Sequence, residues 1–206
     1  MALTKAPDVF QDWAAVAQNT IVESAEGDVS GAYDSSVTIQ AALDTTTAHT
    51  GTRFIVLVNP NGSDDEDWVV WRPSIIDLIG TALTENLTNN PLAAGVSTLT
   101  MADTAGFETN GDGIDEIPGW RFIEDSTLAN SELIYQLSFV TDTSIAWAGV
   151  NKNSHVQNTP LYNIGISKSF DLPMWADRVK VIVDNGYDAD GSTLNYRLIL
   201  GKVTGV

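Results

Sequence analysis

Two histidines and no cysteine are available for acid–base, nucleophilic or metal chemistry in this chain of 206 residues. His49 lies in the threonine-rich stretch DTTTAHTGT and His155 lies in NKNSHVQNT, and neither has a partner at a metal-ligand spacing. We interpret each as a turn or strand-end histidine that is hydrogen-bonded to nearby backbone. Without cysteine, the chain can form neither a disulfide framework nor a thiolate metal site.

Carboxylates are the other groups that could do chemistry, and they are too numerous to be diagnostic. A glycosidase needs two carboxylates at a set distance across a cleft, a relation between strands that a sequence does not reveal. Glu124, Asp125 and Glu132 are the residues that could serve this role, but only their residue type supports it. We therefore predict that the protein is not an enzyme, and we assign no catalytic or cofactor-binding residue.

Three acidic loops offer oxygen ligands of the kind that calcium prefers. None fits the twelve-residue calcium loop, which ends in glutamate, and each is also typical of a solvated turn. If one of them binds calcium, we favour the last loop, with Asp184, Asp188 and Asp190 as the metal ligands. The acidic residues of the other two loops are Asp64, Asp65, Glu66 and Asp67 in one, and Asp112, Asp115 and Glu116 in the other.

Tryptophans give a choice between a carbohydrate-stacking platform and ordinary packing. Trp68 and Trp71 are three residues apart in a predicted strand, so they face opposite ways and do not form one shared platform. We predict core and subunit contacts for the tryptophans, because aromatic side chains dominate both settings. The residues considered are Trp68, Trp71, Trp120, Trp147 and Trp175.

The net charge of -17 limits the partners of the protein. Nucleic-acid binding relies on lysine and arginine to neutralise phosphates, so we expect no nucleic-acid partner. No apolar run reaches membrane-spanning length and the first residues lack a signal-peptide pattern, so we expect no membrane partner either. An acidic surface of this kind keeps an abundant protein soluble.

Period-two alternation of apolar residues runs through most of the chain and predicts β-strands. Residues 37–43, 54–58, 179–183 and 194–200 each place apolar side chains on one strand face, and residues 53–58 are apolar on both faces. The loop between the last two strands is rich in Asp, Asn and Gly and predicts a hairpin. Residues 8–18 are compatible with a short amphipathic helix or with an extended arm that docks on a neighbour.

A second set of strands, over residues 88–158, is punctuated differently from the rest. The predicted fold is an all-β, discontinuous antiparallel β-sandwich of jelly-roll or immunoglobulin-like type, made from residues 20–82 and 160–206. Residues 88–158 are predicted to form an inserted small β-barrel module, and residues 1–19 a short N-terminal arm or helix.

Two resemblances point to one class of protein. The run of segments STLTMADTAGF, FIED and SELIYQLSF followed by a late histidine resembles small β-barrel modules in tail, fibre and head-associated proteins of tailed bacteriophages. The outer segments TGTRFIVLVNPNGSDDEDW and ADRVKVIVDNGYDADGSTLNYRLILGKVTG are similar to uncharacterised structural proteins encoded in phage and prophage virion gene sets. The resemblance implies a role in particle architecture.

These observations lead us to expect a non-enzymatic structural protein of a phage virion, and within that class a capsid decoration or cement protein. Its partners would be copies of itself and virion proteins such as the major capsid protein or tail proteins, after assembly in the host cytoplasm. The alternatives are a tail, neck or baseplate protein, a carbohydrate-binding module for host attachment, and an extracellular filament subunit. No cofactor is expected beyond a structural calcium ion.

Overall fold

The computed structural model of the chain describes residues 3–43, 52–62, 67–75, 84–104, 107, 119–141, 143–163, 165–185 and 193–205. The fold of this part is all-β, as predicted, with antiparallel sheets and a single turn of 3-10 helix at Leu128–Asn130. It contains no helix that is long and apolar enough to cross a membrane.

In chain order the strands are β1 (Leu3–Val16), β2 (Ile21–Glu23), β3 (Gly27–Asp28), β4 (Asp34–Leu43), β5 (Arg53–Asn59), β6 (Val69–Ile75), β7 (Thr84–Asn86), β8 (Thr98–Thr100), β9 (Gly119–Ile123), β10 (Glu132–Thr141), β11 (Ser144–Trp147), β12 (Pro160–Tyr162), β13 (Gly165–Asp171), β14 (Arg178–Asp184) and β15 (Leu194–Gly205).

The strands form three sheets. The first sheet has the order β1-β15-β4-β13, and the second has the order β2-β14-β5-β6 with β3 also paired to β14. Side chains from these two sheets meet in one hydrophobic core, which makes them the two layers of a sandwich. The third sheet has the order β7-β12-β9-β10-β11-β8 and encloses a second core.

The alternating patterns predicted the faces of the sandwich strands correctly. The apolar residues of β4, β5, β14 and β15 that share a face are all buried in the common core, because a side-chain period of two places them on one side of each strand. Strand β5 lies between β14 and β6, as its two apolar faces predicted. The fully buried members of this set are Val37, Ile39, Ala41, Leu43, Phe54, Val56, Val58, Val179, Val181, Val183, Leu194, Leu198 and Leu200.

The N-terminal segment is extended rather than helical, and it docks on its own chain rather than on a neighbour as the extended alternative had it. Strand β1 pairs with β15 of the same chain, from Leu3 opposite Gly205 to Val16 opposite Leu194. Trp13 and Val16 reach the sandwich core. The apolar residues of this segment, which would also fit one face of a helix, therefore pack into the core from a strand. Pairing along a strand as long as β15 satisfies many backbone groups of β1, whereas a lone helix of this length would be marginal.

The predicted hairpin between the last two strands is wrong. Strand β14 pairs with β5 on one side and with β2 and β3 on the other, while β15 lies between β1 and β4 in the first sheet. Both edges of β14 are occupied, so the chain crosses to the opposite layer after Asn185. Asp, Asn and Gly favour a reversal of the chain but do not determine which strand it then joins.

The third sheet curls until its two edges meet. Leu87, just after β7, pairs with Met101, just after β8, and the Thr88 N–H donates to the Thr100 carbonyl at 2.9 Å. The result is a small barrel-like unit around its own core. Strand β9 is covered on both faces, since Ile123 faces this core and Phe122 faces the sandwich, where its ring lies 4.8 Å from Trp13.

Candidate functional site

A fully buried histidine lies between two carboxylates in the third sheet. The backbone of His155 pairs with Leu92, which fixes the position of the ring. His155 Nδ1 lies 3.1 Å from Asp125 Oδ2, and Nε2 lies 3.0 Å from Glu132 Oε1. We call these three residues the histidine clamp. The prediction that this ring bonds to local backbone is wrong, because its partners are two carboxylates from elsewhere in the chain.

Backbone N–H groups hold both carboxylates of the clamp. Glu132 accepts hydrogen bonds from the N–H of Lys152 and of Asn153, both at 2.8 Å. Asp125 Oδ1 accepts from the N–H of Thr127 at 2.9 Å. The clamp therefore joins the start of β10, the loop before it and the segment around residue 153, which are otherwise separate parts of the chain.

Both ring nitrogens face carboxylate oxygens, so only the doubly protonated imidazolium can donate to both of them. Burial by itself lowers the pKa of His155, but the hydrogen bonds and charges of Glu132 and Asp125 outweigh it and the pKa is raised. Burial likewise raises the pKa of Glu132, but His155 and the two backbone donors outweigh it and the pKa is lowered. A ring held in this way has no free lone pair to offer a substrate.

These shifts predict a window of pH in which the clamp stabilises the fold. The raised pKa of His155 gives stability that is complete below its ordinary value of 6.5 and is lost as pH rises through the folded value. The lowered pKa of Glu132 gives stability that is present above its ordinary value of 4.5 and is lost as pH falls. We expect the stability difference between wild type and H155Q, measured by urea unfolding, to peak between these values. A difference that is independent of pH from 5 to 9 would contradict the clamp.

A fully buried arginine lies in the same unit. Arg121 shares a face of β9 with Ile123 and points into the core of the third sheet, where the strand alternation places it. Its Nε donates to Gln136 Oε1 at 2.7 Å. Its Nη1 donates to the carbonyl oxygens of Trp120 and Asn163, both at 2.9 Å, and its Nη2 donates to that of Phe107 at 2.6 Å.

Two clefts flank the histidine clamp where the third sheet meets the first. The first cleft has a volume of about 410 Å³, and Asp125 and Asn195 lie in its wall. The second has a volume of about 510 Å³, and Glu132 and Arg197 lie in its wall. The clamp thus lies between two surface depressions, and the second of them is lined by several aromatic side chains.

An apolar patch lies at the edge of the second sheet. Trp71 of the edge strand β6 contacts Trp175 edge to face, with ring centroids 6.0 Å apart. The Trp71 Nε1 donates to the Asp171 carbonyl at 2.9 Å, which holds this ring in place. Met174 is 82% exposed and Trp175 is 49% exposed. We call Trp71, Met174 and Trp175 the apolar patch.

The structure describes only some of the site residues that the sequence predicted. Asp184 ends strand β14, and the other favoured calcium ligands, Asp188 and Asp190, lie outside the described residues, as does His49. Among the residues that the structure describes, no group of three or more His, Cys, Asp or Glu side chains could hold a metal ion. The calcium loop therefore stays a prediction.

Asp125 and Glu132, considered above as glycosidase carboxylates, are brought together, but on opposite sides of a histidine.

Comparison with known proteins gives little further guidance. No known family matches the sequence, and no curated protein matches it. Solved structures match the chain only at low similarity, and three of them serve as examples. They are the K3 cleaved adhesin domain of Lys-gingipain from Porphyromonas gingivalis w83 (10% identity, 92% of this chain and 73% of that chain, TM-score 0.35), the capsid protein VP17 of bacteriophage P23-77 (8%, 100% and 99%, TM-score 0.20) and the VP16-VP17 complex of its two major capsid proteins (7%, 98% and 100%, TM-score 0.20).

None of these likenesses assigns the chain to a family. Four features of this chain bear on its function: the histidine clamp, the buried Arg121, the second cleft and the apolar patch. Sequence reasoning did not find the first two. An arginine at an inward position of an alternating strand is a signal that could have identified Arg121, whereas the clamp has no comparable local signal.

Proposed function

We propose that the protein is a non-enzymatic structural component of a phage virion, and within that class a capsid decoration or cement protein. The single observation that carries the structural role is the apolar patch, which exposes two large side chains beside the edge strand of a sheet. The two sequence resemblances support the assignment to a virion. Stabilisation of the particle would come from area buried between neighbouring subunits.

The patch has two properties of a contact surface. Exposed apolar side chains that touch one another mark interaction sites more often than scattered ones do. Strand β6 is the last strand of the second sheet in the described chain, and an edge strand is a position at which another chain can pair. Val69 and Val70 of this strand are also exposed, which extends the apolar surface along the edge.

Charge around the patch differs from charge over the whole molecule. The chain has 10 basic residues against 27 acidic ones, and three of the basic side chains lie over tryptophan rings near β6. Arg72 lies over Trp71, and Arg178 and Lys180 lie over the ring of Trp68. Arg178 and Lys180 are already paired with Glu26 and Glu23, so the exposed Arg72 beside the patch is the basic group that would complement the acidic surface of another copy.

Loss of the patch is expected to remove the protein from particles. We expect phage that encode the double variant M174S/W175S to carry at least about ten-fold less of this protein per purified virion than wild-type phage. A ten-fold loss corresponds to about 1.4 kcal/mol of attachment free energy. Quantitative mass spectrometry of particles against total lysate measures this ratio. The purified variant should retain the thermal midpoint of the wild-type protein, since the two replaced side chains are exposed.

The matched control is V140S/V156S, which replaces two exposed apolar residues of the third sheet and its flanking loop. Its copy number per particle should equal that of wild type. Retention of M174S/W175S at the wild-type level would show that the patch is not the attachment surface. Absence of the wild-type protein from purified particles would overturn the virion role itself and favour a filament subunit or another extracellular role.

A further inference from the structure

The second cleft combines aromatic surface with uncommitted polar side chains. One wall comes from the outer face of the first sheet, where Gln40 of β4 and Arg197 of β15 are paired residues in the register. The other wall comes from the third sheet and includes Trp120, Tyr135 and Trp147. The cleft therefore lies between two separately built units, a common place for ligand sites.

Two aromatic side chains of the cleft, Trp120 and Tyr135, are neither buried core nor isolated surface residues, whereas Trp147 belongs to the core of the third sheet. Trp120 and Tyr135 are cross-strand partners on β9 and β10, and their ring centroids lie 5.0 Å apart at an angle of 64°. Both rings are half-buried, so part of each is accessible from the cleft. Trp120 belongs to the face of β9 that points toward the first sheet, which is why it reaches the cleft.

The polar groups of the cleft have spare hydrogen-bonding capacity. Within the described chain the Gln40 amide has no hydrogen bond, and the guanidinium of Arg197 makes one long contact, from Nε to Asp12 Oδ1 at 3.5 Å. The indole Nε1 of Trp147, which lines the cleft, is a buried donor with no protein partner. The ring of Trp147 belongs to the core of the third sheet, so the polar groups that a ligand in the cleft would meet are those of Gln40 and Arg197. Glu132 also lines the cleft, but its oxygens are bound within the histidine clamp.

We infer that the second cleft is a saccharide-binding site. A pyranose ring has an apolar C–H face that packs on aromatic rings such as Trp120 and Tyr135, and it has hydroxyl groups that both donate and accept. Planar amide and guanidinium groups, here Gln40 and Arg197, present adjacent donors that match neighbouring hydroxyls. The volume of about 510 Å³ lies within the usual range for small-ligand sites.

The inference does not depend on the proposed virion role, because the cleft and the apolar patch are on different parts of the fold. A saccharide site on a virion protein would attach particles to a glycan-coated surface. The same site on a protein outside a virion would still bind the sugar in isolation, so failure of one proposal leaves the other intact.

Isothermal titration of the full chain with neutral hexasaccharides (glucan, mannan and galactan) and with hexauronates tests the site. We expect at least one to bind with a dissociation constant below about 1 mM. Q40A and Y135A should each weaken that binding by about ten-fold or more, while W175S, which removes a tryptophan of the apolar patch, should leave it unchanged. Q40A replaces a half-exposed side chain without hydrogen bonds in the described chain, so it tests the site without disturbing the core.

Two results would overturn the inference. The first is failure of every member of the panel to bind below about 5 mM. The second is binding that Q40A and Y135A leave unaltered while both variants keep the wild-type thermal midpoint, which would place the sugar elsewhere on the molecule. Whether neutral or acidic sugars bind more tightly identifies the class of saccharide.

Discussion

Replacement of Arg121 by alanine is expected to cost about 4–5 kcal/mol of unfolding free energy, a large part of the total for a domain of this size. The side chain is fully buried and donates to Gln136 and to three backbone carbonyl oxygens. Its removal leaves several buried acceptors without a donor and opens a cavity, and each of these effects destabilises the fold. Urea unfolding followed by tryptophan fluorescence measures the loss.

Two variants separate the role of Arg121 from a general effect of losing an arginine. R72A removes an exposed guanidinium that lies over Trp71 and should cost less than about 1 kcal/mol. R121K keeps the positive charge but replaces the fork of donors with one ammonium, so it should fall between wild type and R121A. A loss below about 1 kcal/mol in R121A would contradict the described network.

Replacement of His155 by alanine is expected to cost about 3 kcal/mol near pH 6. The variant leaves the carboxylates of Asp125 and Glu132, which are both mostly buried, facing an empty site without their shared cation. Loss of one partner of a buried ion pair is strongly destabilising because the remaining charge is desolvated and unpaired. Chemical unfolding at pH 6 measures this loss directly.

A double-mutant cycle tests whether the loss arises from the clamp. H155A and E132A remove opposite members of one interaction, so the double variant should cost clearly less than the sum of the two single losses. The E23A variant serves as the control, since it removes the exposed carboxylate of the ion pair between Glu23 and Lys180 and should cost well under 1 kcal/mol. Additive losses for His155 and Glu132 would mean that the two side chains do not interact.

The sandwich strands were predictable because each carries its own signal. Val37, Ile39 and Ala41 alternate with polar residues, and strand β4 buries them on one face. Residues 53–58 are apolar on both faces, and strand β5 is central in its sheet. Local alternation is enough to identify such strands, since burial of one face requires a period of two.

Pairing between strands was less predictable. The polar, glycine-rich loop after Asp184 indicated a hairpin, yet β14 and β15 lie in different sheets. Residues 8–18 fitted a helix or an arm, and the pairing of strand β1 with β15 depends on residues nearly 200 positions away. In strand β10 the register shifts between Gln136 and Ser138, and Leu137 is exposed whereas Tyr135 and Phe139, two positions away on either side, are half-buried. Loop composition and local period do not encode these long-range choices.

The candidate sites also depend on contacts between residues that are separated in the sequence. His155 lies 30 residues from Asp125 and 23 residues from Glu132 in the sequence, so no local motif unites the clamp. Trp120 and Trp147 were recognised as candidates for glycan contact, but their position in one cleft follows from the meeting of the first and third sheets. The apolar patch likewise joins Trp71 to Trp175, which are far apart in the chain.

Electron cryo-microscopy of the native particle tests the central proposal most directly. We expect density for this β-sandwich in many regularly spaced copies on the outside of the closed shell, with Trp175 and strand β6 against a neighbouring subunit. Density along an axial tube would contradict the decoration role and assign the protein to the tail or neck. Particles of normal composition that contain no density for the chain would contradict the virion role altogether.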